Sequence, residues 1–87
     1  MSGSDSGSGS ISVDVVTILW ERATLIPLAQ RRIVQATVIG SAAPCANTLN
    51  RGDLYRTAVL CLLGNRFVQV LNLDSGLTGV AVFIRLR

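Results

Sequence analysis

The chain has 87 residues, of which 49% are apolar and 15% charged, and its net charge is +3. It contains no histidine and no lysine, and its five acidic residues are far apart in sequence, so the usual general bases, metal ligands and Schiff-base formers are missing or isolated. This composition argues against most enzyme classes. We expect a non-enzymatic protein with no catalytic, cofactor-binding or metal-binding residues.

A chain of this length is expected to form one domain. Residues 1–10 are almost entirely Gly and Ser, which is typical of flexible coil and fits either a natural arm or an engineered linker. Residues 11–87 are then a single β-rich domain. No basic region precedes an apolar stretch, so no signal peptide is expected, and the cellular location is not indicated. The longest apolar run is residues 58–63, far short of the ~20 residues of a spanning helix, so no transmembrane segment is expected.

Val, Ile, Thr and Leu predominate from Ile11 onward, which favours strands. Glycines recur every twelve residues, as expected for turns between short strands, at Gly40, Gly52, Gly64 and Gly76. The pattern predicts an all-β fold, a small sandwich or partly open barrel of five to seven short strands. The predicted strands are 12–20, 23–28, 32–39, 55–63, 66–73 and 79–86. Pro27 indicates that the second of them is at an edge or contains a bulge.

The segment 54–63 has an alternative interpretation as a single helix. Asp53 would be its N-cap and Gly64 its C′ residue. The apolar residues of the segment also have helical spacing. As a strand, the same segment would join the next one through a two-residue hairpin at Gly64 and Asn65. Residues 74–79 are predicted to form a longer turn before the last strand.

Apolar residues occupy both faces of the predicted strands. We predict that the last strand places Val80, Val82, Ile84 and Leu86 inward, with Ala81, Phe83, Arg85 and Arg87 opposite. Two packed layers of a small domain hide only the two inner faces. The surplus apolar face is therefore expected to contact another subunit, another protein or a lipid surface. The alternative is that a few apolar residues are simply exposed, as in any protein. The candidate interface residues are Trp20, Phe67, Val68, Val70, Ala81 and Phe83.

The two cysteines, Cys45 and Cys61, do not form a Cys-x-x-Cys pair, and without histidine a zinc site would lack ligands. We favour two ordinary thiols, with Cys61 buried as a small apolar residue. A disulfide between them is the alternative, if the protein encounters an oxidising compartment.

All eight basic residues are arginines, and five of them are candidates for an anion-binding strip: Arg22, Arg31, Arg32, Arg85 and Arg87. Small β-barrels bind single-stranded nucleic acid through such strips together with stacking aromatic residues. The alternative is that these charges keep an apolar protein in solution. A nucleic-acid partner is therefore a weak expectation.

Arg51, Gly52 and Asp53 match the tripeptide of integrin-binding ligands, in which the aspartate completes a metal site on the receptor. Three residues are a weak signal. The structural interpretation, a glycine turn followed by an N-cap aspartate, is the one we favour.

We expect a structural protein that self-associates or packs into a larger assembly, with copies of itself or other structural proteins as partners. A decoration, cement or minor capsid protein of a virus or phage is the concrete form of this expectation. A nucleic-acid-binding barrel and an artificial sequence without a natural role are the alternatives.

Overall fold

A computed structural model describes residues 12–26 and 29–86. In chain order the elements are β1 (Val13–Glu21), β2 (Arg32–Ile39), a 3-10 turn (Ala46–Thr48), α1 (Tyr55–Leu63), β3 (Val68–Asp74) and β4 (Thr78–Leu86). The predicted arm at residues 1–10 lies outside the described residues, as do Pro27 and Arg87. Residues 23–26, predicted to start a strand, form irregular loop.

The strands form one open antiparallel sheet in the order β2-β1-β4-β3. The structure is therefore mostly β, as predicted. The predicted sandwich or barrel of five to seven strands is wrong, because the described residues form four strands, which do not close on themselves. A helix, rather than a second sheet, forms the other layer.

The segment 55–63 is helical, so the strand predicted there, and with it the hairpin at Gly64 and Asn65, are wrong and the helical alternative is correct. Tyr55, Ala58 and Leu62 are buried along one side of α1, which is helical rather than alternating spacing. Both predicted caps differ from the structure. Leu54 is the N-cap, and Gly64 at the C-terminus has a right-handed φ of −73°.

The helix ends instead through Arg66, which has a φ of +74°. The N–H of Phe67 donates to the Leu62 carbonyl at 3.1 Å. This bond and the left-handed residue before Phe67 are features of a Schellman C-cap, in which a glycine is the usual residue at the Arg66 position.

Packing of α1 on the sheet creates the core. Trp20, Phe83, Ile18 and Val16 are at most 1% exposed and project from the central strands toward the helix. Since Ala81 and Phe83 are buried, the predicted orientation of the last strand is wrong: the inward and outward sides are exchanged. Because both sides of β4 are apolar, alternation alone could not identify the side that α1 covers.

Cys45 and Cys61 form a disulfide, which corrects the preference for free thiols and bears out the alternative. The bond joins the 40–49 segment to α1. Both sulfur atoms accept weak contacts from the side-chain amide of Asn65. The loop and the helix are thereby held together where they cover the sheet.

Candidate functional site

The face of the sheet opposite α1 is covered by no other described element. Three rows of four cross-strand partners define this outer face: Ile39, Val15, Ile84 and Val68; Thr37, Thr17, Val82 and Leu71; Gln35, Leu19, Val80 and Leu73. All are apolar except Thr37, Thr17 and Gln35, and none is charged. A sheet with one solvated face normally has polar residues on that side.

The outer face is most exposed at its margins. Ile39 on one edge strand is 64% exposed, and Val68 and Leu73 on the other are 60% and 55% exposed. Val15, Val82 and Ile84 on the central strands are partly screened by their neighbours. Large apolar patches exposed on a soluble protein commonly mark contact surfaces.

The predicted interface residues separate into two groups. Val68 and Val70 are exposed on β3, at 60% and 52%. Trp20, Phe67, Ala81 and Phe83 are at most 2% exposed in the core, so they are unavailable to a partner of the folded chain. Leu71 and Leu73 were not predicted in the outer face because strict alternation places them opposite Val68, whereas the pairing of β3 with β4 shifts between Gln69 and Leu71. Val82 was not predicted there because the inner side of β4 was assigned to the surface. Knowledge of the helix position would have been needed to reverse that assignment.

The five predicted anion-binding arginines do not form one strip. Arg22 and Arg31 meet at Trp20, with each guanidinium carbon 5.1 Å from the ring centre. Arg32 lies at the start of β2 and donates to the Gly52 carbonyl at 3.0 Å. Arg85 is at the other end of the sheet, and Arg87 lies outside the described residues.

Arg85 is part of a buried structural network. Its Nε donates to Oδ2 of Asp14 at 2.8 Å, and Asp14 is fully buried. The other guanidinium nitrogens donate to the carbonyls of Ser41, Ala43 and Asn65. Oδ1 of Asp14 accepts the N–H of Ser41 at 2.9 Å. These contacts join β1, β4, the 40–45 segment and the end of α1, so Arg85 is a structural residue.

Arg22 and Asp74 form a second ion pair, with Nη2 and Oδ2 2.9 Å apart. Nε of Arg22 also donates to the Gly76 carbonyl at 2.7 Å. The N–H of Gly76 donates to Oδ1 of Asp74 at 2.8 Å, and this bond, followed by the charge of Arg22, holds the pKa of Asp74 below its ordinary value. The predicted turn between the last two strands is confirmed.

Tyr55 lies beneath Arg31, whose guanidinium carbon is 4.7 Å from the ring centre. Burial raises the pKa of the Tyr55 phenol, against the opposing effects of the Arg31 charge and a hydrogen bond with Gln69. Trp20 and Tyr55 also contact each other, with ring centres 5.9 Å apart. The Trp20 ring therefore contacts the guanidinium groups of both Arg22 and Arg31, and the Tyr55 ring contacts that of Arg31.

The Arg51-Gly52-Asp53 tripeptide forms a turn that is hydrogen-bonded on several sides. Oδ2 of Asp53 accepts the N–H of Asn50 at 3.0 Å, and the Gly52 N–H donates to the Ile33 carbonyl at 2.8 Å. The glycine has a φ of +89°, which L side chains rarely adopt. The glycine turn of the structural interpretation is confirmed, whereas its N-cap aspartate is wrong, because Leu54 is the N-cap and Asp53 accepts the Asn50 N–H within the turn.

Comparison with known proteins identified no matching family model, no similar curated protein and no similar solved structure. Residues 12–26 and 29–86 include no group of three or more acidic or cysteine side chains placed to hold a metal ion. Within the same residues, α1 is too short to cross a membrane.

Proposed function

We propose that this protein is a non-enzymatic interaction protein that self-associates through the outer face, with a second copy of the chain as its partner. The observation that carries the proposal is the uncharged and largely apolar outer face, which is apolar on β4 and β3 and mixed on β1 and β2. A symmetric dimer brings the same surface of each protomer together. An apolar face without charges is suited to this arrangement because no like charges meet.

The dimensions of the face are adequate for a weak dimer. The three rows of the outer face span about five residues at about 3.3 Å each on four strands about 4.8 Å apart, which is roughly 320 Å². Two protomers would then bury roughly 640 Å² together, which is the size of a weak, transient contact. We expect the two sheets to pack about 10 Å apart with their strands rotated by about 30°.

Self-association is also the step that a particle-associated role requires. In a virus or phage particle, a protomer with such a face would serve as a decoration, cement or minor capsid protein. The nucleic-acid alternative receives less support, because all four aromatic residues are at most 4% exposed and cannot stack on bases.

Light scattering coupled to size-exclusion chromatography tests the proposal. We expect the full chain to be a dimer at high micromolar concentration and to dissociate on dilution. Leu71→Lys places a charge in the middle row of the outer face, where Leu71 is 40% exposed, and should give a monomer.

Leu60→Lys is the matched control. Leu60 is 60% exposed on α1, in the opposite layer, and should leave the dimer intact. Circular dichroism establishes that both variants are folded. A wild-type monomer at every concentration, or equal dissociation of both variants, would overturn the proposal.

A further inference from the structure

Three arginines surround a cleft between the N-terminal end of α1 and the residues Arg22 and 29–31. The cleft has a volume of about 460 Å³ and is lined by Arg22, Ala29, Gln30, Arg31, Leu54, Arg56 and Thr57. Among the described residues, no acidic side chain lines it. We call it the arginine cleft. It lies away from the outer face, since Arg56 and Thr57 belong to the helical layer.

Contacts with other residues of the protein hold two of the three arginines in place. Arg22 is fixed by its ion pair with Asp74 and by its bond to the Gly76 carbonyl. Arg31 lies over the buried rings of Trp20 and Tyr55. Cation–π contacts and hydrogen bonds therefore reduce the ordering that a ligand would require.

The charge of the cleft is only partly compensated. The described residues include one ion-pair partner for these three arginines, the Asp74 carboxylate that contacts Arg22. Arg31 and Arg56 form no salt bridge with a described residue. Guanidinium groups bind phosphate through paired N–H donors, and they do so more strongly than ammonium groups where two donors are aligned.

The adjoining end of α1 adds to this preference. No side chain caps the helix N-terminus, and its first turn contains no acidic residue. Arg56 and Thr57 occupy that turn, where backbone N–H groups point out of the helix and favour an anion.

We propose that the arginine cleft binds the phosphate group of a small phosphorylated molecule. The three arginines, rather than the helix end, define the site. The volume exceeds what one phosphate fills, so the remaining space accommodates an organic group. Because Trp20 and Tyr55 are covered by protein, the site selects for charge and not for base stacking.

A two-dimensional ¹H–¹⁵N NMR titration of the full chain with phenyl phosphate tests the proposal, with inorganic phosphate and benzoate in parallel. We expect saturable shifts of the Trp20 indole N–H and of the Arg56 and Thr57 backbone N–H signals. Phenyl phosphate should bind more tightly than either other probe. Stronger binding of benzoate would overturn the assignment to phosphate.

Single substitutions of arginine test whether phenyl phosphate binds in the arginine cleft. Arg31→Gln and Arg56→Gln should each weaken phenyl phosphate binding about tenfold, the loss expected for a charged hydrogen-bond partner. Arg66→Gln is the matched control, since Arg66 is exposed at the other end of α1 and should have no effect. Arg56→Gln tests the site even if Arg31→Gln disturbs the ring contacts.

Absence of saturable shifts would contradict the proposal. So would an equal loss of binding in all three variants, because it would indicate attraction to net charge alone. Binding of a single-stranded oligonucleotide without any response to phenyl phosphate would replace the small-molecule site with a nucleic-acid interface.

Discussion

At the scale of single residues, the two ion pairs of the sheet differ in their surroundings. Asp14 is fully buried and Arg85 has a side chain 12% exposed, whereas the side chain of Asp74 is 45% exposed. Removal of one partner from a buried pair leaves an uncompensated charge, which is far more costly than the loss of a solvated pair.

Asp14→Asn should therefore lower the free energy of unfolding by about 3–5 kcal/mol. The amide leaves the Arg85 guanidinium without its counter-charge in the buried network. Urea denaturation measures the effect. Asp74→Asn is the comparison and should change stability much less, so equal effects of the two substitutions would contradict the assignment of Asp14 and Arg85 to a structural role.

The carboxyl of Asp74 provides a pH-dependent prediction. Its pKa is lower in the folded state, so the stabilisation from this group is present above its unfolded pKa and is lost as pH falls through the folded value. Arg22→Gln should raise the pKa only partway to normal, because the larger cause is the Gly76 N–H bond. NMR titration of the carboxyl measures this, and an unchanged pKa would show that Arg22 does not contribute.

At the scale of elements, the end of α1 shows what residue types alone could not predict. Gly64 is a typical helix terminator, yet the left-handed position falls on Arg66 two residues later. Arg66→Gly should remove the cost of a left-handed Cβ and raise the unfolding free energy by about 0.5–1 kcal/mol. Thermal denaturation tests this, with Gly64→Ala as a comparison that should not stabilise.

The disulfide links α1 covalently to the 40–49 segment. It closes a loop with a sequence separation of 16, for which chain entropy predicts about 3 kcal/mol. The double variant Cys45→Ser, Cys61→Ser should lose about this much stability in urea denaturation. If the double variant and the oxidised wild type unfold at the same urea concentration, the disulfide does not stabilise the fold.

The sequence supported the strand-rich character and the positions of β1, β2, β3 and β4 to within a few residues, because each is rich in residues from the set Val, Ile, Thr and Leu. It did not determine whether 55–63 is a helix or a strand, since apolar residues there fit both patterns. It also could not assign the two faces of β4. That assignment depends on where α1 packs, which is a property of the tertiary structure.

For the candidate sites too, residue types predicted some members, and the others depend on how α1 packs on the sheet. Arg22 and Arg31 both belong to the predicted anion-binding strip, whereas Arg56 was not predicted and lines the cleft because α1 begins beside it. The predicted surplus of apolar residues corresponds to a real uncovered face. Its members differ from those expected, because four of the six named residues belong to the core.

At the scale of the whole molecule, the helix covers one side of the sheet and leaves the other side apolar. Within residues 12–26 and 29–86, no further element covers that side. We propose that self-association covers this apolar side. The arginine cleft lies in the helical layer, so a dimer through the outer face would leave both copies of it open to solvent.

Intermolecular nuclear Overhauser effects in a sample mixed from labelled and unlabelled chains test the central claim most directly. The self-association account predicts contacts between protomers from the methyl groups of Val82 and Leu71, at the centre of the outer face. The absence of intermolecular contacts at high concentration, or contacts restricted to Leu60 on α1, would contradict it.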